Sequence, residues 1–350
     1  MNVLLLTDKL ITGGAENYFC KLENELQHPD LTFYTAAGPG ELFSKIKNEN
    51  KFIPMMRKNH LGNVLKIRKV VIANKISLIH ANSLRMVLYS VLLQKITGME
   101  FKIIYTKHNV TMLEEKYESL FIKLLNNHVD RIIAVSNFGR ESLVSLGVNP
   151  AKIMTVYNGV DMQQFTFHNK ETAEITKIGI LARLSEEKNH ELFLDIAYEL
   201  RGVPDLSFYI AGEGPERNNI QNKIDALKMA GNVKLLGAVQ NPEKFIKAMD
   251  ILLFTSHREV FPMAILEGMA VGTPIISIDR GGIGEVVIDN KTGFLISNHC
   301  VDAFCEKILM IKSDEEKKRQ MIEEARQKVE RDFSLQEMVN KTLQEYVNCF

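Results

Sequence analysis

Two cations and two carboxylates in the second half of this 350-residue chain stand where a phosphorylated ligand would need them. Arg183 follows a strand-like run, Ile178 to Ala182, and Lys188 comes after the turn Ser185-Glu186-Glu187, just before a helical run opening at Asn189. An arginine fork and a lysine point charge at the carboxyl end of a strand suit a diphosphate, above all one that departs with charge. The alternative, two surface cations balanced by Glu186 and Glu187, is equally open on this spacing. Further on, Glu259 and Glu267 bracket a helix start marked by Pro262, so one carboxylate lies in the loop before the helix and the other within it. The first amides, those of Met263 and Ala264, would face outward unpaired and polarised for a phosphate oxygen. Carboxylates also accept from the vicinal hydroxyls of sugars, although Glu259 alone reads equally as a dipole-favoured residue and Glu267 as an ordinary helix residue.

Other groups are less specific. The turn DRGGIGE from Asp279 to Glu285 and the GEGPER at Gly212 permit close backbone approach or a simple tight turn; neither completes a dinucleotide fingerprint, which disfavours a dehydrogenase. Near the N-terminus Gly13 and Gly14 precede a helical run from Ala15, either as an anion-presenting loop or as a helix-entry turn. His80 and His108 close two strand-like runs and are expected at ligand-facing strand ends. No D-x-D occurs, and no His, Cys, Asp or Glu cluster has metal-ligand spacing, so no metal and no cofactor are expected.

Strand-like runs alternate with helical periods throughout, the pattern of parallel βαβ units. In the first half they are Val3 to Leu6, Leu31 to Thr35, Leu78 to Ala81, Lys102 to Thr106 and Arg131 to Val135, with a short one in KIMTVYNGVD at residues 152–161. The second series is Ile178 to Ala182, Leu206 to Ala211, Val233 to Leu236, Ile251 to Thr255 and Pro274 to Ile278. The aperiodic HNKETAEITK at residues 168–177 reads as a linker. The fold class is therefore α/β, two Rossmann-like doubly wound domains facing a central cleft: residues 1–165, residues 166–333, and a last helical segment, 334–350, returning to the first domain.

Composition agrees with a globular protein: 45% hydrophobic, 25% charged, net charge zero. The balance is uneven, since residues 1–165 hold 20 Lys and Arg against 14 Asp and Glu, leaving 23 against 29. The excess concentrates between Glu41 and Lys75, a solvated helix face or a patch for an anionic membrane surface. Four cysteines without metal spacing fit a reducing cytoplasm, and MNVLLLTDKL reads as a first strand because Asp8 and Lys9 interrupt its apolar run. No apolar stretch approaches the ~20 residues of a membrane span, so membrane contact would be peripheral, at the inner face.

Taken in order, GGAE, AVSNFGR, VYNGVD, ARLSEEKN, AGEGPER and EVFPMAILEGMAVGTPI resemble the family 4 glycosyltransferases, enzymes of the GT-B fold, over nearly the whole chain. The last segment is the most specific: it matches the family's E-x₇-E motif, with Glu259 first and Glu267 second. The resemblance implies retaining, metal-independent transfer from a nucleoside-diphosphate sugar, donor in the second domain and acceptor in the first. It casts Arg183 and Lys188 as diphosphate ligands, Glu259 as partner of the donor sugar and Glu267 as partner of the ribose. Phe261, Met263 and Ala264 would line the donor, the loop Gly237 to Val239 would border the base, Gly13 and Gly14 would lie beside the phosphates, and His108 near the reacting centre. Val260 is bulkier than the small residue many members carry there, which leaves the donor sugar open. The expected partners are an NDP-sugar, UDP favoured, and a cell-surface or lipid-linked glycan, with no nucleic acid. The alternatives are a GT-B sugar-nucleotide epimerase, a transferase with a small-molecule or protein acceptor, and a catalytically silent nucleotide-sugar-binding subunit.

Overall fold

A computed structural model of the chain describes residues 1–11, 13–168 and 175–350. Among these, thirteen strands form two sheets, one in each of two compact units: Met1–Gly159 with Leu335–Phe350, and Val160–Ser334. Each unit is a parallel α/β layer structure. Its inner strands are buried on both faces, and they are nearly continuous apolar runs for that reason.

In the first unit the strands are β1 (Asn2–Thr7), β2 (Thr32–Ala37), β3 (Phe52–Pro54), β4 (Leu78–Ala81), β5 (Lys102–Lys107), β6 (Arg131–Ala134) and β7 (Ile153–Thr155). They lie in the order β3-β2-β1-β4-β5-β6-β7, all pairs parallel. Val3 pairs with Phe33 on one side and Leu78 on the other, so the order reverses between β1 and β4. One face of the sheet is covered by the helices His60–Ala73 and Leu84–Thr97 through Val64, Ile67, Val87 and Leu93. The other is covered by Gly14–Glu25 and by the last helix, Leu335–Val347, through Phe19, Leu22, Met338 and Tyr346.

The second unit holds β8 (Thr176–Leu181), β9 (Leu206–Ala211), β10 (Val233–Gly237), β11 (Ile251–Phe254), β12 (Ile275–Ile278) and β13 (Phe294–Ile296), in the order β10-β9-β8-β11-β12-β13, again all parallel. Here the reversal falls between β8 and β11. In open α/β sheets ligands bind beyond the carboxyl ends of the strands at such a reversal, where neighbouring loops part to opposite faces. Both sheets therefore carry one favoured position for a ligand.

Two strands escape the sequence pattern. β3 and β13 are three-residue edge strands; Phe52-Ile53-Pro54 is only half-buried and ends in a proline, which an edge tolerates because nothing needs its missing N–H. The linker reading of residues 168–177 falls largely on 169–174, outside the described residues, while Thr176 and Lys177 already belong to β8. Among the described residues, no helix is long and apolar enough to cross a membrane.

Candidate active site

Beyond the carboxyl ends of β8 and β11 the structure brings Lys188 and Glu259 together. Lys188 ends a single 3₁₀ turn, Glu186–Lys188, and its ammonium lies 2.6 Å from Glu259 Oε1. The two side chains are 20% and 11% exposed, so the pair is largely sheltered yet open to a ligand on one side. Ser256 Oγ donates to the same carboxylate oxygen at 2.9 Å. Thr255 Oγ1 donates to the carbonyls of Lys188 and Asn189, and the His257 amide to Glu187 O, so the two loops are stitched together before any ligand arrives. Asn189 follows in the left-handed region, φ 49°, and caps the next helix by accepting from the Leu192 amide.

Arg183 is exposed and, among the described residues, pairs with neither Glu186 nor Glu187, and Lys188 pairs across the reversal with Glu259. A lysine ammonium has three donors, so Lys188 can hold Glu259 and still offer hydrogen bonds to anionic oxygens. The loops from β8 and β9 stack closely: a Cβ on Gly212 would strike Ala182 O and one on Gly214 would strike Leu184 O, while Leu184 N donates to Glu213 O. The GEGPER glycines thus position the loop that carries Arg183.

The helix Met263–Val271 supplies the next groups. Pro262 is its N-cap, in extended conformation, one residue earlier than the first helical turn that the sequence suggested. No side chain caps the helix, which leaves the first amides, Met263 and Ala264, aimed outward. Within this helix only Met263, Ala264 and Glu267 are half-exposed and every other residue is buried. Positions i, i+1 and i+4 share one face, so the open strip joins the helix start to the Glu267 carboxylate. Gly268 lets the helix lie directly on β11 and β12, because a Cβ there would run into Leu252 and Ile275. Phe261 does not face this strip; it is buried, its ring 5.8 Å from that of Phe333, so what it offers a ligand is backbone.

The glycine turn after β12 is a support for Glu259. Gly281 sits at φ +61°, and a Cβ there would occupy the place of Glu259 O. At the end of β10, Gly237 is also left-handed, φ 78°, and its carbonyl accepts from the Gly212 amide; Val239 follows, half-buried in the same loop. Among the described residues, no three His, Cys, Asp or Glu side chains converge to hold a metal ion.

In the first unit the reversal between β1 and β4 gathers Gly13, Gly14, Asn82 and His108. Gly13 is the extended N-cap of Gly14–Glu25, again with no side-chain cap. A Cβ on Gly13 would meet the Glu16 carboxylate, whereas one on Gly14 would meet nothing within 4 Å, so protein packing does not demand the second glycine. Burial pushes the Glu16 carboxyl up from its ordinary value. Asn82, buried just after β4, donates to Ala15 O at 3.0 Å and accepts from His108 Nε2 at 2.8 Å. His108 therefore carries its proton on Nε2 and keeps Nδ1 as an acceptor. Burial, and secondarily His80, lowers its pKa to about 3, so the ring is neutral at physiological pH. Tyr18 packs edge-on against it, centroids 4.7 Å apart.

His80 is not at a ligand-facing end. It lies within β4, 2% exposed, with Nδ1 bonded to Tyr346 OH and Nε2 to Thr106 Oγ1, both at 2.6 Å. Asn82 and Ser256 are the two site residues that the sequence reading missed. Each directly follows or closely follows the last residue of a strand beside a reversal, and that placement was the available signal.

Two family models cover the chain almost end to end: Glycosyltransferase Family 4 over residues 12–164 and Glycosyl transferases group 1 over residues 162–328. The chain belongs to the family 4 glycosyltransferases. Among its relatives is one component of the human phosphatidylinositol N-acetylglucosaminyltransferase, 28% identical over 69% of this chain and 51% of that protein. The chain thus spans about half the length of that relative. An Escherichia coli UDP-Gal:alpha-D-GlcNAc-diphosphoundecaprenol alpha-1,3-galactosyltransferase is 24% identical over 85% of this chain and 83% of that one. The fold is shared with Anabaena HepE, solved in complex with UDP-glucose, at a TM-score of 0.83 and 18% identity over 99% of this chain and all of that one.

Proposed function

We propose that the protein is a retaining, metal-independent glycosyltransferase that moves a sugar from an NDP-sugar, UDP favoured, to a hydroxyl of a glycan or lipid-linked acceptor. The observation that carries this is the Lys188–Glu259 contact across the β8/β11 reversal, continuous with the uncapped helix start at Met263 and the open strip to Glu267. First carboxylate, then cation and helix amides, then second carboxylate match sugar, diphosphate and ribose in the order in which a nucleotide sugar presents them. The relatives whose names specify a UDP-sugar, and the UDP-glucose complex of a protein with this fold, support UDP. The diphosphoundecaprenol acceptor named for the E. coli relative supports a lipid-linked acceptor.

In this reading the acceptor hydroxyl attacks the anomeric carbon from the face the diphosphate leaves. The bond from that carbon to the diphosphate oxygen breaks, the same phosphate oxygen takes the hydroxyl proton, and the products are a glycoside of retained configuration and the nucleoside diphosphate. Arg183, Lys188 and the Met263 and Ala264 amides meet the charge of the departing group, each preorganised donor being worth about 10²-fold or more in rate. Glu259 accepts from the donor sugar and Glu267 from the ribose, Phe261 adds backbone contact, Gly237 and Val239 border the base, and Gly13 and Gly14 give room beside the phosphates. Neutral His108 accepts a sugar hydroxyl at Nδ1. The enzyme works in the cytoplasm, at the inner face of a membrane.

The test is transfer from a panel of UDP- and GDP-sugars to lipid-linked and free glycan acceptors, with and without EDTA, and proton NMR of the product. Transfer that survives EDTA and keeps the anomeric configuration is expected. An inverted product, or activity abolished by EDTA and restored by Mg²⁺, would overturn the mechanism; epimerisation of donor without acceptor would overturn the activity.

A further inference from the structure

The helix Met263–Val271 meets its surroundings differently at its two ends, and the assignment of the donor draws on only the first. No side chain of the described residues caps its start, so the Met263 and Ala264 amides stay open to an anion. At the other end, all four carbonyls that a helix leaves without intrahelical partners are answered. Gly268 O accepts from the Thr273 amide at 2.9 Å and Met269 O from the Gly272 amide at 3.3 Å, with Gly272 in the left-handed region at φ 85°. Val271 O accepts from the His168 amide at 3.0 Å. Ala270 O alone accepts from a side chain, Arg326 Nη1, at 2.5 Å.

Arg326 reaches that carbonyl from the long helix Glu315–Asp332. It shares a helix face with Ile322, four residues earlier, which lies against Gly272. The same nitrogen donates to Phe165 O at 3.2 Å, and Nε meets Glu330 Oε1 at 2.6 Å. The Arg326 side chain is 17% exposed and that of Glu330 51%, so the guanidinium lies against the helix end while its counter-ion stands in solvent that screens it. A backbone amide would satisfy Ala270 O as well, just as amides serve the other three carbonyls. A cation does something more, because it cancels the negative pole of the helix dipole. That pole lies about 10 Å along the axis from Met263 and opposes an anion held there.

We propose that Arg326 is a positioning residue for the donor: seated on the carboxyl end of Met263–Val271, it cancels the pole that would repel a phosphate and so strengthens the hold of the Met263 and Ala264 amides on the donor's diphosphate. It touches no ligand and acts through the helix. The inference rests on the donor's phosphates lying at this helix start, and it adds that their affinity is set in part from the opposite end. The effect is confined to the charged part of the donor, since a neutral nucleoside feels the helix field only weakly.

Isothermal titration of the full chain with UDP and with uridine tests this, since uridine keeps the ribose and lacks the phosphates. Arg326→Gln keeps a donor for Ala270 O without the charge, and it should weaken UDP by about two- to fivefold with uridine unchanged. Arg326→Lys keeps the charge and should bind UDP nearly as the wild type does. Glu330→Gln removes the exposed counter-ion, leaves the guanidinium uncompensated and should tighten UDP. This last variant alters only a surface side chain and decides the matter if Arg326→Gln does not fold. Equal losses for UDP and uridine in Arg326→Gln would reduce Arg326 to a structural brace and overturn the proposal. So would UDP affinity unchanged in Arg326→Gln, an Arg326→Lys variant as weak as Arg326→Gln, or no tightening in Glu330→Gln. A wild type that binds UDP while its variants give those results sinks only this inference, whereas a wild type that binds neither UDP nor GDP sinks the donor assignment itself.

Discussion

Replacing Lys188 by methionine tests whether this cation serves the leaving group or merely neutralises Glu259. At 2.6 Å the pair's gross attraction is about 6 kcal/mol at an effective dielectric of about 20, most of which offsets the cost of sheltering two charges. Removing one member of a fully buried pair costs ~3–5 kcal/mol. Here both groups keep some solvent and Ser256 Oγ remains on the carboxylate, so Lys188→Met should cost about 2 kcal/mol of stability. Turnover should fall by ~10²-fold or more, a barrier increase of about 2.7 kcal/mol, if the ammonium also meets the departing diphosphate. The two roles separate in a double mutant. Lys188→Met/Glu259→Gln removes both charges, so unfolding in urea should return towards wild type, but kcat at saturating donor should stay at or below that of Lys188→Met. Recovery of turnover along with stability would refute the leaving-group role, and so would near-normal kcat in Lys188→Met itself.

Three other predictions follow from the same contacts. Gly281→Ala forces a side chain into left-handed backbone against Glu259 O; it should cost at least ~1–2 kcal/mol in urea unfolding and lower turnover more than tenfold by displacing Glu259. Lys107 and Glu114 form a pair at 3.0 Å with both side chains 5% exposed, and Glu114 also completes a capping box with Thr111; Glu114→Gln should destabilise the protein by about 3–5 kcal/mol, read from the urea midpoint. His80 is buried and its pKa lowered by desolvation to about 3, so the unfolded chain binds a proton that the folded chain refuses. Its contribution is complete above the unfolded pKa of ~6.5 and is lost progressively as pH falls towards 3, about 2 kcal/mol by pH 5. His108, lowered to about 3, and His190, lowered to about 4 by burial and by Lys188, act in the same direction. A plot of stability against pH should therefore fall below pH 6.5, and His80→Asn should reduce its slope by about one proton.

Much of the architecture was legible because parallel strands must be apolar on both faces: Leu78 to Ala81, Leu206 to Ala211 and Arg131 onward stand out as runs for that reason. The edge strands β3 and β13 did not stand out, since an edge requires less burial and tolerates Pro54. At the site, residue types and local spacing marked Glu259, Pro262 and Glu267, but distance in sequence hid the partners. Lys188 and Glu259 are 71 positions apart, and only the β8/β11 pairing brings them together. His80 and His108 look alike in sequence, each near a strand end. They part company because the Tyr346 hydroxyl, 266 positions away, closes over His80, while Asn82 takes His108 Nε2 and leaves its Nδ1 an acceptor. The glycines were ambiguous for the same reason: only the fold shows that Gly212, Gly214 and Gly281 face neighbouring carbonyls and that Gly14 faces open space.

The two sheets follow the same strand order yet differ in the groups at their reversals, and this difference is a physical argument for a division of labour. At β8/β11 the groups are ions: Arg183, Lys188, Glu259 and, one helix turn on, Glu267. At β1/β4 the ions beside the strand ends are already paired with each other, Asp8 with Arg85 at 3.0 Å, and the remaining groups are neutral, Asn82 and a His108 whose lowered pKa keeps it uncharged. A diphosphate needs fixed cations and amide dipoles, because its charge grows as it leaves. A hydroxyl is oriented by a hydrogen-bond acceptor, which a neutral imidazole supplies at Nδ1 and a protonated one does not. Half-buried Glu16 is the one acid in the first turn beside Gly13, and its raised pKa moves it towards the neutral form as well. Exchanging Asn82 for Asp would break this pattern with a single atom. The new charge beside His108 would raise the imidazole's pKa and make it a proton donor where an acceptor is required. Transfer by Asn82→Asp should then fall, with a pH–rate profile whose acidic limb moves upward, while binding of UDP to the second unit stays unchanged. A profile identical to wild type would show that His108 neutrality does not matter to the reaction.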